Sequence, residues 1–540
     1  MAIDLSEKSI LVIDDFPQII VTVSAMLRDA GCDDIEAAKS GEQALQMITN
    51  KRYDVIVCDY HLGDGKDGRQ VLEEARHAGI LGYSTAFLMV TGENNLPIVM
   101  GAIEHRPDDY LVKPFVKEVL LQRIGKLLKR KGELAAIDQA IDDHNLGRAI
   151  SLADREIKNQ PANTYDLLKL KAELSIRMDK PAQAKALYEQ ILSLRPVLWA
   201  RLGLAKVNLL MGECEAAREQ FQALVDENEY YIEAYDGLAE ALECIANNQQ
   251  AQAVLNQAIA LSPTSGRRQL RLANIAEKNA DYETLSKALR ASVRFSKRSV
   301  FKSVEPHLRL ARTLTGQGAM IKALRMLTEA REEFQHHQSD TIRLQSLQMQ
   351  LYQQTSNKEA MENIFRDALA RFHNHGSEMS VEALLELAQA CFAINRPDEA
   401  KEILAQLVKH HHDEPTVLEQ VQQAFDEAGY SQDGAELIRD GAREIIAINN
   451  EGVKLFKAGD SEAAMSHFED AAQALPRNRT INLNAAKALI FYMRGHGRDD
   501  NLIRRTRTYL NRAKPPEGSA QKGYDEAVQM FEAIANPDLN

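Results

Sequence analysis

Short apolar segments recur through the first 115 residues and are separated by stretches long enough to form amphipathic helices. The segments occupy residues 10–13, 35–37, 55–58, 86–90 and 110–112. Continuous apolar runs of this length are typical of strands that are buried on both faces of a parallel sheet. The pattern therefore predicts an N-terminal α/β domain with a doubly wound, five-stranded parallel sheet.

Polar residues stand directly after four of these segments. Asp14 and Asp15 follow the first, Asp59 the third, Thr91 the fourth and Lys113 the fifth. In a parallel sheet, groups at the carboxyl ends of the strands converge on one crevice. A hard divalent cation relieves the repulsion between adjacent carboxylates, and an ammonium group attracts phosphate. The spacing predicts a site for a divalent cation and a phosphoryl group, which points to a switch rather than to a metabolic enzyme.

Residues 1–128 resemble the receiver domain of two-component response regulators, which has a flavodoxin-like α/β fold. That family carries an acidic pair after strand one, Asp after strand three, Thr or Ser after strand four and Lys-Pro after strand five. The matching residues, in the same order, are Asp14, Asp15, Asp59, Thr91, Lys113 and Pro114. The resemblance implies that Asp59 is the phosphoacceptor, that Lys113 and Thr91 assist it, and that Mg²⁺ is the cofactor. The metal ligands implied are Asp14, Asp15, Asp59 and the backbone carbonyl of His61.

The same resemblance implies how the domain switches. Thr91 and Tyr110 match the hydroxyl and the aromatic residue that move together in the family, and the bond between Lys113 and Pro114 is expected to be cis. The loop at 61–68 is longer and richer in glycine than is usual in the family. We expect this loop to affect how long a phosphoryl group persists, and not the chemistry itself.

From about residue 130 the strand pattern disappears and helix-forming residues dominate. Small residues recur, at intervals of about 33–35 in the first units, at Ala149, Ala184, Ala217, Ala251, Ala323, Ala360, Ala400 and Ala464. In most units a bulky residue follows four positions later, on the same helix face, as at Tyr188, Phe221, Leu255, Leu327, Leu404 and Phe468. The period indicates a series of helix–turn–helix units.

These units resemble tetratricopeptide (TPR) repeats. The resemblance covers residues 129–540, with weaker units at 266–300, 341–372 and 415–445, and we count nine or ten helix pairs. It implies an all-α superhelical solenoid whose concave wall binds a peptide or a partner helix. Trp199 either faces that wall or packs between repeats, and the two alternatives are equally supported.

Charged clusters in the array give little information about its ligand. Acidic residues gather at Glu233, Asp236, Glu240 and Glu243, and basic residues at Arg267, Arg268, Arg271, Arg290, Arg294, Lys297, Arg298 and Lys302. We interpret the basic stretch as a solvated surface or a contact for an acidic protein rather than for nucleic acid, because the net charge is −13. His410, His411 and His412 lack the spacing of a metal site and are expected at the surface.

Composition narrows the class of protein further. The five cysteines are scattered without a CxxC motif, so we expect reduced thiols. The first residues lack the pattern of a signal peptide, and no apolar run is long enough to span a bilayer. We therefore expect a soluble cytoplasmic protein without a membrane contact.

Three functions remain open on the sequence. The first is bacterial two-component signalling in which phosphorylation of Asp59 controls protein–protein interactions of the array. The second is a phosphate sink or inhibitor that acts on a sensor kinase, and the third, less favoured, is nucleic-acid binding through the basic stretches. The partners implied are a sensor histidine kinase or phosphotransfer protein, an unidentified protein on the array, and in one alternative a second copy of the chain. We expect no enzymatic activity beyond gain and loss of the protein's own phosphoryl group.

Overall fold

Five parallel strands form one sheet in the order β2–β1–β3–β4–β5. They are β1 (Ser9–Ile13), β2 (Asp34–Ala38), β3 (Val55–Asp59), β4 (Ala86–Thr91) and β5 (Asp109–Val112). The structure is a computed structural model that describes residues 5–92, 107–159, 164–515 and 522–535. Each of the five apolar segments forms a strand, which confirms the predicted parallel α/β sheet.

Helices cover both faces of this sheet. They are α1 (Pro17–Arg28), α2 (Gly41–Asn50), α3 (Gly68–His77) and α4 (Lys117–Asp142). Successive residues of β4 enter opposite layers: Phe87 packs with residues of α2 and α3, and Leu88 packs with residues of α1 and α4. Because both layers are apolar, every residue of β3 and β4 is buried. The central strands therefore read as uninterrupted apolar runs in the sequence.

Helix α4 continues without interruption from the sheet domain into the helical region. It has 26 residues, and its first half packs on the sheet through Leu120, Ile124 and Leu127. Its second half packs through Ile137 and Ile141 against the next helices. The predicted boundary between residues 128 and 129 therefore falls inside a continuous helix, and the two predicted domains share that element.

The rest of the described chain is helical. The helices are α5 (Leu146–Asn159), α6 (Thr164–Arg177), α7 (Pro181–Leu194), α8 (Leu198–Leu210), α9 (Cys214–Glu227), α10 (Ile232–Cys244), α11 (Asn248–Leu261), α12 (Gly266–Lys278), α13 (Tyr282–Ser296), α14 (Glu305–Gly316), α15 (Met320–Glu333), α16 (Gln338–Gln354), α17 (Lys358–His375), α18 (Val381–Ala393), α19 (Pro397–His410), α20 (Pro415–Glu427), α21 (Ser431–Lys457), α22 (Ser461–Ala474), α23 (Arg479–His496), α24 (Asp500–Ala513) and α25 (Lys522–Ala535), with a 3-10 turn at Gly376–Glu378. The predicted all-α region is confirmed. The chain divides into two compact units, one ending at Thr313 and one beginning at Leu314.

One turn geometry joins the two helices of most pairs. In each of these turns one residue has a positive φ, and these residues are His144, Asp179, Gly212, Ala246, Ala280, Gly318, Ser356, Asn395, Gly429 and Gly459. A left-handed residue after a helix lets the last turn satisfy its carbonyls and reverses the chain. Ten pairs in the described residues share this turn, and α23 with α24 forms a further pair across residues 497–499. Because the long helix α21 belongs to two of these pairs, the turns do not decide the number of repeats, and nine or ten pairs stays a prediction.

Small residues pack against large side chains, as the sequence period predicted. Seven of the eight alanines are fully buried, the exception being the partly exposed Ala360. Two glycines serve the same purpose as these alanines. A Cβ on Gly203 would lie 2.4 Å from the ring of Tyr188, and one on Gly237 would lie 2.3 Å from the ring of Phe221. The aromatic side chain of one helix thus packs directly on the backbone of the next.

Two expectations about the array are wrong. Cys214 and Cys244 form a disulfide, so these two of the five cysteines are not reduced thiols. His410 and His411 are buried rather than exposed, and burial lowers the pKa of His410 to about 4. The remaining cysteines are free and buried.

None of the helices within the described ranges is both long and apolar enough to cross a membrane.

The close approach at Gly237 gives a stability prediction. Gly237→Ala should lower the free energy of unfolding by about 1–3 kcal/mol, because the added methyl group must displace the buried Phe221 ring. The single tryptophan, Trp199, lies in the same unit and reports urea unfolding by fluorescence. Gly132→Ala is the matched control: a Cβ there meets nothing within 4 Å, so it should stabilise the helix by about 0.5–1 kcal/mol. Equal effects of the two variants would contradict the packing account.

Candidate functional site

Three carboxylates meet at the carboxyl edge of the sheet because β1 and β3 are neighbours. Asp14 and Asp15 follow β1, and Asp59 is the last residue of β3. Asp14 is 3% exposed and Asp59 is 7% exposed, whereas Asp15 is partly exposed. One oxygen from each of the three side chains lies within 4.8 Å of the other two. This grouping could hold a cation, since oxygen ligands at such spacing suit a hard divalent ion.

Lys113 enters the same crevice from the other side. Its backbone N–H donates to the carbonyl of Thr91 at 2.7 Å, which fixes the end of β5 beside β4. Its ammonium group donates to Asp14 Oδ2 at 2.8 Å and lies 3.0 Å from Asp59 Oδ1. The peptide bond between Lys113 and Pro114 is cis. The lysine therefore bridges the two most buried carboxylates.

The electrostatics of the crevice favour an additional positive charge. Burial raises the pKa of Asp59, and the Lys113 ammonium offsets part of that rise. Burial alone would lower the pKa of Lys113, but its contacts with Asp14 and Asp59 outweigh burial, so that its pKa is raised and it stays charged. The one ammonium contacts Asp14 and Asp59, and with the Asp15 carboxylate beside them negative charge is left uncompensated among the four groups.

An unsatisfied oxygen marks where a cation fits. Asp15 Oδ1 is buried, yet it has no hydrogen-bond partner among the described residues. Phe16 N–H donates to Asp14 Oδ1 at 2.9 Å, which leaves Asp15 as the carboxylate with spare coordinating capacity. Buried carboxylate oxygens normally have partners. The donor set of Asp14, Asp15 and Asp59 therefore fits Mg²⁺.

His61, predicted as a backbone ligand, lies two residues beyond Asp59. Its side chain is exposed, and its ring meets that of Tyr60 edge-on at 4.9 Å. The position is compatible with a carbonyl ligand, and that role stays a prediction.

The two predicted switch residues lie on adjacent strands. Thr91 is the last residue of β4 and is 2% exposed. Tyr110 lies in β5 opposite Met89 and is half-buried, and that burial raises its pKa. Both residues are near the crevice, and their coupled movement stays a prediction.

Glycines allow the loop after β3 to close over the crevice. A Cβ on Gly68 would lie 2.1 Å from the carbonyl oxygen of Asp59, so no side chain fits there. Gly63 has φ +63°, and a Cβ on it would lie 3.0 Å from Asp15 Oδ2. Sequence reasoning noted the glycine-rich loop but not these contacts, because they depend on how the loop folds back on β1 and β3.

The acidic and basic clusters of the array pair with each other. Arg268 is 3% exposed and donates to both oxygens of Asp236 at 2.7 and 2.6 Å. Arg271 donates to Glu243 at 2.7 Å and to Glu240 at 3.3 Å. Two of the eight residues of the predicted basic stretch, Arg268 and Arg271, thus neutralise acidic residues of α10. These contacts reduce the positive charge available to a nucleic acid.

Trp199 is partly buried and packs between repeats. It lies against the apolar cluster of α7 and α8, and the Lys169 ammonium stands 5.3 Å from its ring centre. These contacts support the alternative in which Trp199 packs between repeats.

The charge imbalance in the crevice generates a testable prediction. The pKa of Asp59 is higher in the folded chain than its ordinary value, so stability is lost as pH rises through that pKa. At pH 7, Asp59→Asn should therefore slow hydrogen exchange of the β1 and β3 amides in Mg²⁺-free buffer, and the gain should shrink in acid. The control Asp64→Asn removes the same charge from an exposed loop position and should leave exchange unchanged. Faster exchange in Asp59→Asn would show that Lys113 outweighs burial.

Comparison with known proteins agrees with this geometry. Residues 10–125 match the family described as response regulator receiver domain, and residues 351–423 match a tetratricopeptide repeat. The chemotaxis protein CheY of Pseudomonas aeruginosa is 31% identical over 121 residues, which are 22% of this chain and 96% of that protein. Chemotaxis protein CheY-3 of Vibrio cholerae is 30% identical over 121 residues, 22% of this chain and 92% of that protein.

A longer relative is matched only in part. Regulatory protein VanRB of Enterococcus faecalis is 32% identical over 126 residues, which are 23% of this chain and 54% of that protein. The chain thus spans about half the length of this relative. The similarity to curated proteins lies in the sheet domain that carries Asp14, Asp59 and Lys113, and through that domain the chain belongs to the response regulator receiver family, with tetratricopeptide repeats in the helical region that follows.

Proposed function

We propose that this protein is a two-component signalling protein in which Asp59 accepts a phosphoryl group with Mg²⁺, and that its phosphorylation state controls protein–protein interactions of the helical array. The observation that carries the proposal is the bridge formed by Lys113 between Asp14 and Asp59, next to the unpartnered oxygen of Asp15. A buried nucleophile, a fixed ammonium and a spare carboxylate are the groups that phosphoryl transfer needs.

The chemistry follows from the positions of these side chains. A carboxylate oxygen of Asp59 attacks the phosphorus atom of the donor, the bond to the leaving group breaks, and an acyl phosphate remains on Asp59. The Lys113 ammonium stands beside Asp59 and neutralises charge on the phosphoryl oxygens. Thr91, one residue beyond the β4 partner of Asp59, offers its hydroxyl to the same oxygens. Bound Mg²⁺ would supply charge neutralisation on the phosphoryl oxygens, held by Asp14, Asp15 and Asp59 with the His61 carbonyl.

This function defines the partners. A sensor histidine kinase or a phosphotransfer protein would donate the phosphoryl group, in the cytoplasm where such donors act. The repeats would bind a protein partner, and the chain would have no further enzymatic output. Its activity would then consist of gaining and losing its own phosphoryl group.

Phosphorylation of Asp59 is directly measurable. Incubation of the full chain with acetyl phosphate and Mg²⁺ should add one phosphoryl group, located on Asp59 by mass spectrometry after borohydride reduction. Asp59→Asn should abolish the modification because the nucleophile is gone, and chelation of Mg²⁺ should suppress it by at least about 10²-fold. Asp64→Asn, five residues away in an exposed loop, should be modified like the wild type. Equal modification under chelation, or in Asp59→Asn, would refute the assignment.

A further inference from the structure

A disulfide ties two consecutive helix pairs of the array together at their turns. Cys214 is the first residue of α9 and follows the left-handed Gly212, whereas Cys244 is the last residue of α10 and precedes the left-handed Ala246. The Cα atoms of the two cysteines are 6.0 Å apart, a separation that is common in disulfides. The bridge therefore joins the turn between α8 and α9 to the turn between α10 and α11.

This pair is the part of the cysteine complement that thiols in solution can reach. Cys244 is exposed and its partner Cys214 is buried. The other three cysteines, Cys32, Cys58 and Cys391, are free and buried. Structural disulfides resist reduction, whereas exposed ones are the labile and regulatory kind. The exposure of Cys244 therefore places the bridge in the second group.

The two sulfur atoms differ because they lie at opposite ends of helices. Cys214 is at the N-terminus of α9, where the partial positive charge of the helix end stabilises a thiolate. Cys244 is at the C-terminus of α10, where the partial charge is negative. An incoming thiolate thus meets the exposed sulfur of Cys244 and expels the sulfur of Cys214, the better leaving group.

The acidic residues on either side of Cys214 are both paired with bases. The Lys185 ammonium donates to Glu213 at 2.6 Å, and Arg218 Nε donates to Glu215 at 2.9 Å. These contacts offset the negative charge that the two carboxylates would otherwise place beside a thiolate. The effect of the helix N-terminus on Cys214 therefore persists.

Packing keeps the two cysteines close together when the bond between them is open. The Phe221 ring of α9 is fully buried against the backbone of Gly237 in α10. Within the first pair, Asn208 Nδ2 donates to Gln220 Oε1 at 2.9 Å. Neither contact involves a sulfur atom. Closure of the bridge is then an intramolecular reaction between groups that are already neighbours.

The bridged helices also form part of the wall of a cavity of about 740 Å³. Leu209 and Leu210 at the end of α8 line it, and so do Glu233 and Glu240 of α10. Cys214 follows this end of α8 after a short turn. The state of the bridge therefore bears on how firmly two helices of this wall are held together.

We propose that the bond between Cys214 and Cys244 is a reversible redox modification site, opened by thiol reductants and closed by the corresponding disulfides, whose state sets how firmly two consecutive helix pairs of the array are joined. The inference goes beyond the proposed signalling function and does not depend on the role of Asp59. It gives the array a second input, which acts on the helices themselves.

The exchange is a two-electron reaction with a thiol such as glutathione. A glutathione thiolate attacks the sulfur of Cys244, the bond to Cys214 breaks, and its electron pair leaves with the sulfur of Cys214, which takes up a proton. A second glutathione thiolate attacks the glutathione sulfur of the mixed disulfide. Cys244 then leaves as a thiol and glutathione disulfide forms. Closure is the reverse reaction, with glutathione disulfide as the oxidant.

A redox titration of the full chain tests reversibility. The chain is equilibrated at increasing ratios of glutathione to glutathione disulfide, unfolded in acid, alkylated and mapped by mass spectrometry. Cys214 and Cys244 should become alkylated together, and both should be protected again when glutathione disulfide is restored. Cys32, Cys58 and Cys391 should be alkylated at every ratio, which provides the internal control.

The early products of the same reaction test the order of attack. Glutathione should be found on Cys244, and an adduct on Cys214 instead would contradict the step as written. A bridge that survives reduced glutathione would overturn the proposal, because the bond would then be purely structural. Thiols that fail to close again with glutathione disulfide would overturn it as well.

Hydrogen exchange tests the effect on the array. Reduction of the wild-type chain should speed amide exchange in residues 211–214 and 243–247 by about ten-fold or more, because the constraint between the two turns is lost. The unbridged turns at Gly318 and Asn395 should be unaffected. The double variant Cys214→Ser, Cys244→Ser should exchange fast with and without reductant. Unchanged exchange in a wild-type chain whose bridge has been shown to be open would overturn the inference.

Discussion

Uncompensated negative charge at the carboxyl edge of the sheet is the constraint on which the rest of this receiver depends. The strand order brings β1 next to β3, and the acids at their ends cannot separate without breaking the sheet. Lys113 relieves only part of the repulsion, since one ammonium serves Asp14 and Asp59 together while Asp15 keeps an oxygen without a partner. Like-charged groups held together in this way cost stability, which is common at functional sites.

The sheet and the crevice could be predicted because each depends on short stretches of sequence. A short apolar segment between stretches of helix length predicts a buried strand, and the topology common to parallel sheets then places the residue that follows it. The helical pairs were also predictable, since Ala217 and Phe221 lie on one turn of one helix. Both inferences use local periodicity, which survives in a single sequence.

Features that depend on pairs of distant residues were missed. The basic stretch that includes Arg268 and Arg271 was interpreted as a solvated surface or a contact for an acidic protein. The acidic partners of these two arginines lie in the preceding helix pair, and only stacking of the repeats brings them together. Burial of His410 and the bond between Cys214 and Cys244 likewise depend on how successive helices pack. Six of the ten shared turns have a residue other than glycine at positive φ, so glycine spacing alone could not mark every repeat. Arg298 and Gly65 are 233 positions apart in the sequence, and no periodic pattern predicts their contact.

The unbroken helix α4 has a consequence for how such chains can change in evolution. A flexible linker tolerates insertions of any length, but each residue added to a continuous helix rotates the part of the chain that follows it. One residue added between the half that packs on the sheet and the half that packs on α5 would turn the array by about 100° and move it by about 1.5 Å. Arg298 would then no longer face the loop at Gly65. Insertions and deletions in this helix are therefore tolerable mainly in steps near whole helical turns.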